Sequence, residues 1–134
     1  MKKIILSALL LCSLSFSDEY AVVANKSMKD LSVNQIRAIF LKKLLVIGTD
    51  KAVPINLEPR NPLRLKFEKE ILRISFSRLK VYWTKEHYLG HRPPINMKSQ
   101  KGIKAFVKRI NGAIGYININ NLDKELKVIY KWKD

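Results

Sequence analysis

Five consecutive residues, Tyr20 to Ala24, form a nearly continuous apolar run rich in valine. No polar position alternates with the apolar ones, so this is the pattern of a strand buried on both faces. A strand of that kind needs covering layers, and the rest of the chain supplies candidates for them. Ser32-Val33-Asn34-Gln35 reads as a capping box, with Ser32 at the cap and Gln35 reaching back. Behind it Val33, Ile36 and Phe40 repeat at helical spacing. Gly48-Thr49-Asp50 is a turn, and Val53 to Leu57 a short strand whose Pro54 suggests an edge or a strand start.

Asn61-Pro62 is the sharpest local signal. Asn suits the position before a helix and Pro the first position within it; Leu63, Phe67, Ile71 and Ile74 then follow on one face. A second helical stretch is expected from Ser77 to Trp83, and a loop from His87 to Pro94. Ser99 caps a helix whose inner face is Ile103, Phe106, Val107 and Ile110, with Lys101, Lys104 and Lys108 outside. Gly112 ends it, Ala113 to Ile117 returns as a strand, and Leu126 to Trp132 alternates as a half-exposed last strand. Strands alternating with helices predict an α/β fold, a small mostly parallel sheet flanked by helices.

Residues 1–17 have a different character. Lys2 and Lys3 precede an apolar run from Ile4 to Leu14, which ends at Ser15-Phe16-Ser17. A charged start, a short apolar middle and small residues before a cut describe a secretory signal peptide, with cleavage near Ser17. The run is too short to span a bilayer comfortably. Cys12, the sole cysteine, falls inside it, and Leu11 before it is too bulky for a lipoprotein cleavage site. The expected mature chain, 18–134, is one domain with one core and no thiol chemistry, disulfide or zinc–thiolate site.

The 26 Lys and Arg against 11 Asp and Glu give +15, and removal of Lys2 and Lys3 leaves +13. In the cytoplasm such an excess points to nucleic acid; in the periplasm the candidates are anionic lipid, envelope polymers, acidic proteins or a small anionic solute. The lysines are scattered, as on a solvated surface that keeps a small domain soluble.

No catalytic constellation is visible, and an enzyme is not expected. His87 and His91 have the spacing of a helical zinc pair, but Gly90, Pro93 and Pro94 oppose a helix there and no third ligand is near, so no metal is assigned. No cofactor is implied. Glu68 and Glu70 lie among Lys66, Lys69 and Arg73, as in surface ion pairs. Tyr82, Trp83 and Tyr88 suggest a stacking platform or, more ordinarily, core. The better candidate is an anion site over residues 58–64, where the N–H groups opening a helix and the arginines Arg60 and Arg64 could converge. The competing reading is plain capping, with Asn61 satisfying the amides and both arginines in water.

At this point several segments together resemble phosphate-type solute-binding proteins of ABC transporters. They are Val22-Val23-Ala24-Asn25-Lys26-Ser27, Leu31-Ser32, Ile36 to Leu41, Pro54 to Leu57 with Arg60, Arg64 and Phe67, Tyr82-Trp83, and above all Gly112-Ala113-Ile114-Gly115-Tyr116. The resemblance covers nearly all of residues 18–134 and implies a short, single-lobe member with a periplasmic-binding-protein-like fold. The departures are specific. Asn61-Pro62-Leu63 stands where the family has a Ser-Gly-Thr turn that cradles phosphate, and Lys42 stands where it has glycine. The resemblance implies a phosphate-like ligand held by Ser27, Arg60, Asn61 and Arg64, and an inner-membrane transporter or sensor as partner. Half a cleft leaves an oxyanion partly hydrated, so binding is expected to be weak unless a second copy completes the pocket. The alternative is an adaptor that has lost its solute and binds an acidic protein or envelope polymer through its basic surface.

Overall fold

The computed structural model describes residues 18–134. The expected signal peptide, with Cys12, lies outside the described residues. Seven strands and four α-helices follow in the order β1 (Glu19–Ala24), α1 (Val33–Phe40), β2 (Val46–Ile47), β3 (Asp50–Lys51), β4 (Val53–Leu57), α2 (Pro62–Phe67), α3 (Phe76–Tyr88), β5 (Ile95–Met97), α4 (Gln100–Arg109), β6 (Ala113–Asn118) and β7 (Lys127–Lys133). A wide helical turn, Glu68–Leu72, extends α2, and a 3-10 turn, Ile119–Asn121, follows β6.

The main sheet has the order β5-β4-β6-β1-β7, and β2 and β3 form a separate hairpin around Gly48 and Thr49. β4 runs parallel to β5 and β6, while β1 is antiparallel to β6 and β7. Four strands therefore point one way and β1 opposes them. β1 is buried from Tyr20 to Ala24, as its unbroken apolar run requires.

Pro54 is at a strand start, not at an edge, since β4 lies between β5 and β6. The Val53 amide bonds Gly112 O on the β6 side, so the Pro54 nitrogen faces the β5 side, where pairing begins only at Ile55. The missing N–H costs no ladder bond there. α4 packs flush on the sheet because Gly115 has no side chain: a Cβ there would stand 2.5 Å from Ile103 Cγ2. The central core joins Phe40, Phe67 and Tyr116, the last two stacked with ring centroids 4.1 Å apart.

The helix starts follow the caps. Ser32 and Gln35 close the reciprocal box, Asn61 accepts from the Leu63 amide, and Ser99 accepts from Gly102. The helix ends depart from expectation. α3 runs to Tyr88, so His87 is helical; it stops where Gly90 takes a φ of +82°, with the His91 amide on Glu86 O. Ile74 falls beyond the α2 extension, which ends at left-handed Arg73, and Ile110 lies past the end of α4 and is exposed. Glu68 is buried, contrary to the surface ion pair expected of it, and Glu70 accepts from the Tyr130 hydroxyl instead.

Candidate functional site

In an open α/β sheet the crevice for a ligand lies beyond the carboxyl ends of strands, where the strand order reverses. Here the chain leaves β4 toward β5 on one side and returns through α4 to β6 on the other. That rule points to the ends of β4 and β6, and the 58–64 turn opens directly from the first of them. Backbone pairing of the two strands covers only Val53 with Ala113 and Pro54 with Ile114. Beyond that they part, and Tyr116 fills the gap: its hydroxyl accepts from the Leu57 amide at 3.0 Å and donates to Asn56 Oδ1 at 2.9 Å. Burial pushes this phenol far above the usual tyrosine range, so it stays a neutral donor.

Arg64 is not a free arm. Its Nε donates to Glu68 Oε1 at 2.9 Å, and its Nη1 reaches Leu57 O at 2.9 Å and Asn96 Oδ1 at 3.2 Å. Both side chains of the ion pair are nearly buried, at 11% and 7% exposure. Arg64 thus clamps α2 to the ends of β4 and β5. A guanidinium so engaged gives up strong charge-assisted bonds if it turns to a solute.

Asn61 is a cap. Its side chain takes the Leu63 amide at 2.9 Å, and its carbonyl takes the Leu65 amide at 3.1 Å. Pro62 has no N–H, so the Arg64 amide is the donor left over in the first turn. Arg60 is exposed, and among the described residues it makes no hydrogen bond or ion pair.

Ser27 does not join this group. Asn25, at the end of β1, bonds its amide to Ala113 O, and Ala113 pairs with Val53 at the start of β4. Because β1 runs against β4, its carboxyl end lies at the opposite end of the sheet from Arg60. The Ser27 hydroxyl is also engaged, donating to Asn25 Oδ1 at 2.8 Å. Asn25 in turn holds the end of α4 through Val107 O and Lys108 O at 2.9 and 3.1 Å. The correction is one of topology: four residues expected at one site divide into three at one end and one at the other.

Asn56, Asn96 and Tyr116 shape the site and were not foreseen there. Asn56 had a readable signal, since an amide within an apolar strand must find a partner. His87 and His91 do not pair: His91 Nδ1 lies 2.5 Å from Glu86 Oε2, and no group of three candidate metal ligands forms among the described residues.

No family model matches the chain, and no curated protein matches it. Solved structures do. An ABC-type phosphate transport receptor from Vibrio cholerae superposes with a TM-score of 0.66 at 20% identity, over 84% of this chain and 45% of that one. A putative phosphate ABC transporter substrate-binding protein from Clostridium perfringens, solved with bound phosphate, superposes with a TM-score of 0.65 at 22% identity, over 84% of this chain and 44% of that one. This chain spans less than half the length of either. The likeness is one of fold: the architecture is a single lobe of the periplasmic-binding-protein-like class.

Proposed function

We propose that this chain is a secreted binding module, not an enzyme, that takes phosphate or a similar small oxyanion weakly at the turn entering α2. Arg60 carries the reading: an exposed guanidinium with no partner among the described residues, just past the carboxyl end of β4, the end at which an α/β sheet takes its ligand. The fold shared with two phosphate transport proteins, one holding phosphate, supports the choice of ligand. In this reading Arg60 and the Arg64 amide meet the anion, Asn61 shapes the turn, and the Arg64 side chain holds the turn against the sheet. Ser27 has no part in it.

Weakness follows from the same geometry. One free guanidinium and one amide, open to water on one side, face competition from solvent and salt. A second copy, or a membrane transporter or sensor laid over the crevice, would exclude that water. Residues 1–17 would deliver the module to the periplasm. Among the described residues no helix is long and apolar enough to cross a membrane.

Calorimetric titration of the purified chain with phosphate and with sulfate at low salt tests the reading. Heat with either anion that disappears in Arg60→Ala supports it; silence with both in the unaltered chain rejects it. The second reading, an adaptor for an acidic partner, rests on a separate observation: the outward face of α3 is built unlike that of a solvated helix.

A further inference from the structure

α3 touches the body of the protein with little of its surface. Leu79 is its one fully buried residue, while Tyr82 and Trp83 are half-buried beside it. The Tyr82 hydroxyl donates to Leu41 O at 2.6 Å, fixing this side inward. At 3.6 residues per turn, Ser77, Val81, Thr84 and Tyr88 line the opposite side, at steps of four, three and four. All four are exposed, Val81 at 68% and Tyr88 at 85%. None carries a charge, although 28% of the chain does. The Thr84 hydroxyl is turned back onto Lys80 O at 2.9 Å, so it is satisfied within the helix.

The charges stand on the two flanks of this stripe and are all basic. Arg78 and Lys85 border one side and Lys80 the other, with the His87 ring beside it. The only carboxylate of α3, Glu86, lies on the body side against His91. Each flank also opens into a hollow. Beside Lys80 and His87 is a mainly apolar groove of about 530 Å³, walled by Phe76, Trp83, Pro59 and Pro93. Beside Arg78 and Tyr82 is a hollow of about 350 Å³.

We infer that α3 is a docking ridge for an acidic partner protein, which lies along the uncharged stripe from Ser77 to Tyr88 with its carboxylates on the basic flanks. Steps of four and three are the seam spacing by which helices receive a facing element. Tyrosine is enriched at the centres of protein interfaces, and the groove beside Trp83 has room for one inserted apolar side chain. Charge selects the occupant. A second copy laid across the ridge would set Arg78, Lys80 and Lys85 against their own kind, a repulsive arrangement. A lipid surface calls for Trp, Phe or Leu on the outward stripe, and three of the four residues here carry a hydroxyl. The groove reaches Pro59 and Arg64 of the oxyanion turn, but Arg60 does not line it, so Arg60→Ala, which removes anion heat, leaves docking on α3 unchanged and the two proposals fail separately.

Photo-crosslinking in the native cell tests it. The full chain carries p-benzoylphenylalanine at position 81, at position 88 or, as control, at position 101 on the outside of α4. The expected result is an adduct from positions 81 and 88, and not from 101, with one and the same acidic protein. That protein, purified, binds the unaltered chain with an affinity that falls roughly tenfold or more in Val81→Ser/Tyr88→Ser and also falls with added salt. Circular dichroism of the double variant confirms that the fold is intact. Adducts with a second copy, with lipid, with a protein indifferent to the double substitution, or with nothing overturn the proposal.

Discussion

α4 and α3 are the two longest helices of the described chain, and they are built on opposite plans. α4 buries Ile103 and Val107 against the sheet, exposes Lys101 and sets half-buried Lys104 and Lys108 on Asp123. α3 buries Leu79 alone and shows water an uncharged stripe between basic flanks. In α4 the fully buried positions are apolar and the lysines stand on the outer side, so folding accounts for most positions, exposed Ala105 excepted. In α3 the outward apolar residues do nothing for the fold as it stands. A helix that departs from the core–solvent pattern on its free side carries information about something outside the chain.

The difference is broken most forcefully by truncation. Ile103→Ala removes a buried side chain seated over Gly115 and should destabilise by about 2–5 kcal/mol. Val81→Ala removes an exposed one and should stay within about 0.5 kcal/mol. Chemical denaturation of the two variants measures both; equal losses would mean that α3 is packed in solution more fully than its exposure implies.

A middle-sized effect is expected at the junction of α4 with β1. Asn25→Ala leaves the Val107 and Lys108 carbonyls without their side-chain donor and frees the Ser27 hydroxyl. It should cost about 1–3 kcal/mol. Hydrogen exchange should show the last turn of α4 loosening while α3 is unchanged.

The smallest effect is electrostatic. Lys108, and after it Lys104, draws the Asp123 carboxyl down to about 2 from its ordinary 3.8. A depressed carboxylate stabilises the folded chain above its unfolded pKa, and that contribution is lost as pH falls through the folded value. The pair is solvent-exposed, so the effect is slight and screened by salt. Stability measured from pH 5 to pH 2 should fall less in Asp123→Asn than in the unaltered chain, and high salt should narrow the gap.

How much of this was legible depends on the range of the interaction. The caps at Ser32, Asn61 and Ser99 were readable because each side chain meets a backbone group two or three residues away. The buried strand was readable because its burial is written in consecutive residues. The end of α3 was not: His87 looked like loop beside Gly90 and the prolines, yet the helix keeps His87 and Tyr88 and closes through Leu89 on left-handed Gly90. Glu68 lies four residues after Arg64, so their pairing was open to inspection. The Leu57 carbonyl and Asn96 were not, because strand neighbours bring them there.

By itself, then, the order of residues determined the alternation of strands and helices, their starts, the buried character of β1 and the basic surface. These depend on contacts within a turn or on the summed charge. Tertiary structure alone decided that β1 runs against its neighbours, which carried Ser27 to the far end of the sheet. It likewise turned Arg64 from a ligand arm into a clamp and left the uncharged stripe of α3 facing outward. Strand direction and order come from the balance of burial over the whole chain, and no local run of residues encodes that balance.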